Sequence, residues 1–355
     1  MPSGTPLGSR IESSLARGLA RLPHPVLRSL VGPPVSIDGQ QMHVEVQLAL
    51  KLLELAGAQP LDRLTVDEAR RQIAEEARAF QGPKLGLDRV EDITIGAADS
   101  PLGARLYVPA ETAEPPSVLV YFHGGGFVVA DLETHDNTCR FLASRAGVRV
   151  IAVDYRRAPE HRFPAAADDA RRAFRFAVEH AAELGADPTR VAVGGDSAGG
   201  NLAAGVARQA AADGGPAPAF QLLLYPWLDL SAKRRSYTLF SSGFFLTEGE
   251  LDWYKRHYVG ANGDALDPRC SPLLGGLPGT IAPAYIATAG FDPLRDEGEE
   301  YAQRLRAAGV RVALRRHRGM VHGFANAMSF GHAAGHAMLE AAGALQVGVA
   351  MARRE

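Results

Sequence analysis

The sequence predicts an α/β fold built on a mostly parallel central sheet flanked by helices, and three observations carry that prediction. From Arg89 onward, short apolar strand-like runs alternate with helical patterns, the signature of strand–helix units covering both faces of one sheet. Ser117–Phe122 is a continuous apolar run of the kind buried on both faces. Val191–Gly200 sets Ser197 between a short apolar strand and a small-residue helix, with Gly195-Asp-Ser-Ala-Gly199 forming a G-x-S-x-G turn.

Composition bounds the answer. The chain has 355 residues, enough for one large domain or two, with 46% hydrophobic and 22% charged residues, as in folded globular proteins. A formal charge of −2 gives no reason to expect nucleic acid or a membrane surface as partner. Only Cys139 and Cys270 are present, which argues against a disulfide scaffold and, with no signal-peptide pattern and no long apolar span, for a cytoplasmic protein. Whether the two cysteines pair is left open.

The elements follow in order. Ile11–Leu22 is weakly amphipathic, and the first ten residues are expected to be loose. Met42–Ala56 places Val44, Leu48, Leu52 and Leu55 on one helical face, and Thr65-Val-Asp-Glu68 is a capping box opening a second helix to about Phe80. Strands are predicted at Val90–Ile95, Arg105–Val108, Ser117–Phe122, Val148–Val153, Val191–Gly194, Phe220–Tyr225, Ala284–Ala289 and Val312–Arg316. Helices are predicted at Thr134–Ala146, Ala165–Leu184, Gly199–Ala212, Glu297–Ala308 and Gly331–Val349. The aromatic-rich interval 227–277 breaks the alternation. It is read as a cap insertion with one or two helices, around Thr247–Val259, packing beside the N-terminal helical cap segment 1–88 over a catalytic domain spanning 89–355.

In a tight strand-to-helix turn the central residue takes strained dihedrals and the flanking positions have no room for a Cβ, hence Gly195 and Gly199. The turn lifts the Ser197 hydroxyl clear of the sheet while the Ala198 N–H points to the same spot. His123-Gly-Gly-Gly-Phe127 directly follows a buried strand and can present bare backbone N–H groups to a developing oxyanion. A nucleophilic serine also needs a base and an orienting carboxylate, which this chain order puts after later strands. Asp292 stands at a strand end before Pro293, whereas Asp296 is read as a helix cap. His322, flanked by Gly319 and Gly323, is preferred as base over His317, read as a solvated edge residue. His332 and His336 share a helical face but lack a third ligand for a metal.

His123-Gly-Gly-Gly-Phe127, Asp154-Tyr-Arg-Arg-Ala-Pro-Glu160, Gly195-Asp-Ser-Ala-Gly-Gly200, Asp292-Pro-Leu-Arg-Asp-Glu297 and His322-Gly-Phe324 together resemble the hormone-sensitive-lipase family of α/β-hydrolases, the bacterial family IV esterases. The resemblance spans Arg89 to the C-terminus. It implies the α/β-hydrolase fold with a helical cap, Ser197 as nucleophile, Asp292 as orienting acid, and His322 as base. It further implies the amides of Gly125, Gly126 and Ala198 as oxyanion hole, and no cofactor or metal. Arg157 departs from the apolar residue usual in Asp-Tyr-Arg-x-Ala-Pro-Glu, which puts local packing in question. His123, Asp154 and Glu160 are read as supports of the oxyanion loop.

The expected activity is hydrolysis of short- to medium-chain carboxylic esters, with a small-molecule ester as partner and a homodimer left open. An amidase or peptidase of the same fold, or a non-catalytic small-molecule receptor, is the alternative. Phe127, Phe244, Phe245, Leu246 and Phe324 are candidate pocket walls, since an apolar lining binds an acyl or alkyl group.

Overall fold

A computed structural model describes residues 16–96, 100–114 and 116–351, so the expectation for the first ten residues and the start of the Ile11–Leu22 segment fall outside it. A short hairpin, β1 (Ser36–Ile37) and β2 (Gln40–Gln41), precedes the main sheet. The sheet's eight strands are β3 (Arg89–Ile95), β4 (Leu102–Val108), β5 (Val118–Phe122), β6 (Arg149–Val153), β7 (Val191–Asp196), β8 (Gln221–Leu224), β9 (Ala284–Phe291) and β10 (Val312–Val321). Their order is β10-β9-β8-β7-β5-β6-β4-β3; β4 pairs antiparallel with both its neighbours and every other pairing is parallel.

Position in the sheet explains the sequence patterns. β5, β7 and β9 are buried at every residue because helices cover both faces, whereas the edge strands β3 and β10 mix exposed and covered positions. Alternate residues of β5 feed two cores: Val118, Val120 and Phe122 pack with α5 (Ala165–Glu179), α6 (Ala198–Asp213) and α9 (Arg295–Ala307). Leu119 and Tyr121 pack on the other face with α4 (Asp136–Ala146) and α10 (Ala333–Ala350). Gly147 and Gly214 stop α4 and α6 in left-handed conformation. Cys139 and Cys270 are buried, unpaired and in separate cores.

The N-terminal segment holds α1 (His24–Val31), α2 (Val44–Leu55) and α3 (Val66–Phe80), the last opened by the Thr65/Glu68 capping box. Between α1 and α2 lies the β1–β2 hairpin, which turns on Asp38 and Gly39, both at positive φ. The Asp-Gly pair is the sequence signal for such a turn, but two-residue strands are too short to show periodicity. The insertion carries α7 (Arg235–Leu239) and α8 (Glu248–Tyr258), α8 opened by a second capping box, Thr247/Glu250. Glu250 also accepts the Leu61 N–H at 3.0 Å, so one buried carboxylate ties the insertion to the N-terminal segment.

Two expectations are corrected here. β10 continues five residues past Arg316 to Val321 through a bulge, in which His317 pairs with Ala289 and Val321 with Phe291. His317 is therefore a half-buried strand residue rather than a solvated edge residue. Asp296 does not cap the helix that follows it: α9 already begins at Arg295, and the Asp296 carboxylate instead accepts the first-turn Ser236 N–H of α7 at 2.8 Å. Among the described residues no helix is long and apolar enough to cross a membrane.

Candidate active site

Ser197 sits at φ 54°, ψ −117°, between the last residue of β7 and the first of α6. The elbow presses against the end of β5: a Cβ on Gly195 would lie 2.5 Å from the Gly199 carbonyl carbon, and one on Gly199 would overlap the Phe122 carbonyl. Leu224 of β8 accepts the Ser197 N–H at 2.9 Å, which fixes the strained residue to the neighbouring strand.

The structure brings Ser197, His322 and Asp292 into one hydrogen-bonded line. His322 Nε2 lies 2.8 Å from Ser197 Oγ, and His322 Nδ1 lies 2.8 Å from Asp292 Oδ2. Asp292 is fully buried, and its Oδ1 accepts the Leu294 N–H at 2.8 Å. The bulge in β10 aims His322. Gly290, facing the bulge, has no space for a Cβ beside the Arg318 carbonyl, and Gly319 packs against the His43 ring while its carbonyl accepts the His43 N–H at 3.0 Å. Tyr225, at φ 37°, places its ring 4.6 Å from that of His322 and its hydroxyl within 3.2 Å of the Ala325 N–H. Sequence reading missed Tyr225, whose only cue is its place at the end of a buried strand.

Gly125 and Gly126 line the same cavity as Ser197 and His322, at φ 102° and 58°. A Cβ on Gly126 would run into the Tyr254 ring, and one on Gly125 would overlap the Val129 carbonyl. Ala198 is buried as the first residue of α6, where an N–H has no partner within its own helix.

Asp196, the residue before Ser197, holds this loop: its Oδ1 accepts the Gly124 N–H at 3.0 Å and the Tyr121 hydroxyl at 2.8 Å. Burial works against the charged form of Asp196, but His135, Tyr121 and His123 outweigh it and keep the carboxyl below its ordinary range. His123 is buried and its Nδ1 lies 2.7 Å from the Gly124 carbonyl oxygen; burial pushes its pKa down to about 3. Arg157 donates to the Ala130 carbonyl, so the departure noted in the sequence supplies a clamp on the loop's far end. Glu160 is not inside the loop but on its outside, paired with Arg70 of α3.

A cavity of about 830 Å³ opens at Ser197, lined by Phe244, Phe245, Leu246 and Phe324. Phe127 does not line it. Its ring stacks on Tyr258 with centroids 3.8 Å apart in the core, because its positive φ of 64° turns the side chain away from the cavity behind the glycine run. The far wall comes from α2 and α3, through Leu50, Leu53, Ile73, Glu76 and Phe80, which the helical periodicity could suggest but not orient. Glu76 is pushed up to about 7 by burial and by Glu250.

A family model for the alpha/beta hydrolase fold matches residues 119–326. The chain belongs to the α/β-hydrolases, in the hormone-sensitive-lipase-like family IV. The carboxylic ester hydrolase LipN of Mycobacterium tuberculosis is 45% identical over 87% of this chain and 84% of its own. An ethyl acetate hydrolase of Pseudomonas putida is 44% identical over 75% of this chain and 85% of its own. Among solved structures, an ester hydrolase from the metagenome of Lake Arreo superposes with a TM-score of 0.81 at 39% identity, covering 86% of this chain and 98% of that one. In an α/β-hydrolase with this geometry, an imidazole held by a buried carboxylate can take a proton from the serine hydroxyl beside it.

Proposed function

We propose that the protein is a serine carboxylesterase acting on short- to medium-chain esters, with Ser197 as nucleophile, His322 as base and Asp292 as orienting acid. The observation that carries the reading is the pair of 2.8 Å contacts joining Ser197, His322 and Asp292 at the mouth of an apolar-walled cavity. His322 takes the hydroxyl proton as Ser197 Oγ attacks the ester carbonyl, and the amides of Gly125, Gly126 and Ala198 hold the oxyanion. The protonated imidazole then gives its proton to the leaving alcohol, an acyl-enzyme remains, and water activated by His322 releases the acid. Asp292 keeps the imidazole in the useful tautomer without itself taking the proton.

Residues 1–88 and 227–277 act as a cap on the catalytic domain 89–355 and set chain length. Each methylene buried in the cavity gains about 0.8 kcal/mol until the space is filled, after which crowding reverses the trend. Unpaired, buried Cys139 and Cys270 fit a reducing, cytoplasmic setting. The test is kcat/KM over p-nitrophenyl esters from acetyl to palmitoyl, with Ser197→Ala as control. The reading requires a peak at short to medium chains and no turnover by Ser197→Ala. A monotonic rise to palmitoyl would make it a lipase, and turnover by the variant would remove Ser197 from the reaction.

A further inference from the structure

Three loops must be held in register for the proposed chemistry: the glycine loop after β5, the elbow after β7, and the turn after β10 that carries His322. A polar chain, buried at Asp196 and His135 and half-buried at Asn326, connects all three. Asp196 Oδ1 accepts the Gly124 N–H, and its Oδ2 lies 3.2 Å from His135 Nε2. The same His135 nitrogen is 3.0 Å from Asn326 Nδ2, in the turn that follows His322, and Asn326 Oδ1 accepts the Thr138 hydroxyl at 2.7 Å. The other ring nitrogen of His135 is 3.0 Å from the Thr134 hydroxyl oxygen, which is itself fixed by Asp131. His135 and Asp196 are both buried, and the hydrogen-bonded line of Ser197, His322 and Asp292 uses neither. The Nε2 atom of His135 is shared between Asp196 and Asn326, so removing the ring alters both contacts at once and leaves buried polar atoms without their partner.

We propose that His135 is a positioning residue: through Asp196 and Asn326 it sets the Gly124–Gly126 amides relative to Ser197 and His322, so that the oxyanion site is formed before substrate arrives. Position matters because a donor aimed at the oxyanion acts mainly in the transition state. Losing the brace should then lower kcat and leave KM nearly alone. The inference rests on the esterase reading, which hydrolysis by the wild type and its loss in Ser197→Ala test separately.

The experiment measures kcat, KM and the Ki of an aryl trifluoromethyl ketone, whose hemiketal oxygen occupies the oxyanion site, for wild type, His135→Leu and His135→Gln. His135→Leu should lower kcat by about 10- to 100-fold, less than the loss of a whole oxyanion donor, with KM within about threefold. The ketone's Ki should rise by the same factor as kcat/KM falls. His135→Gln, which returns a polar group toward Asp196, should recover most of both. Unchanged kcat, or a KM rise with unchanged Ki, against an active wild type would overturn the assignment. If His135→Leu does not fold, Asn326→Leu breaks the chain at its far end; because Asn326 also lines the cavity, its test is the fall in kcat with the matching rise in the ketone's Ki, and unchanged kcat and Ki would overturn the assignment.

Discussion

Gly199 packs so closely on the end of β5 that a Cβ there would lie 1.8 Å from the Phe122 carbonyl oxygen. Backbone cannot yield to a methyl group, so Gly199→Ala should displace the elbow and destabilise the fold by about 3 kcal/mol or more. Gly200→Ala is the milder contrast, since its Cβ would meet the Pro226 Cβ at 2.8 Å and the Pro226 Cα at 3.1 Å, a clash that also forces a shift but a smaller one than at Gly199. Urea unfolding of the two variants checks this, and equal losses would contradict it.

Of the two histidines on β10 and its following turn, only His322 reaches Ser197. His322→Ala should cost as much ester turnover as Ser197→Ala, on the order of 10⁴-fold or more, because the members of such a triad act as a unit. His317 packs its ring edge against Phe324 with centroids 5.2 Å apart, and burial lowers its pKa to about 4. His317→Ala should therefore loosen the turn but keep most of kcat. A steady-state comparison in which His317→Ala were the worse variant would reverse the assignment.

Arg70 of α3 donates to the Val128 carbonyl at 2.9 Å and the Ala158 carbonyl at 3.0 Å, besides its forked pair with Glu160. Arg70→Ala removes all of these and should cost about 2–4 kcal/mol, while Glu160→Gln, at an exposed carboxylate, should cost less than about 1. Thermal melts rank the two; the opposite order would place the stabilisation in the ion pair rather than in the carbonyl contacts.

Glu76 titrates in the fold at about 7, above its unfolded value of 4.5, so the folded state holds the proton more tightly across that window. Stability from this group is present below 4.5 and lost as pH rises through about 7. Glu76→Gln should match wild type at pH 4 and exceed it by about 1–2 kcal/mol at pH 8. Denaturant unfolding at the two pH values measures the difference; a gap independent of pH would mean the carboxyl is not strained by its surroundings.

Features set by near neighbours in the chain were legible without coordinates. The capping box at Thr65 rests on hydrogen bonds within one turn and is present in the fold; the apolar run of β5 and the G-x-S-x-G elbow could be read as patterns, although what leaves no room at Gly195 and Gly199 is the Phe122 carbonyl at the end of β5. Ser197, Asp292 and His322 could be picked out because chain order and strand ends confine them. Tertiary structure decided the rest. The bulge opposite Gly290 puts His317 in a strand and aims His322, and Phe127 turns into the core to stack on Tyr258. The cavity wall comes from α2 and α3, and His135 meets Asp196 and Asn326 only where three loops converge. Each depends on contacts between segments far apart in sequence. Local propensity carries no record of such contacts, because what selects them is the simultaneous packing and hydrogen-bond satisfaction of the whole interior.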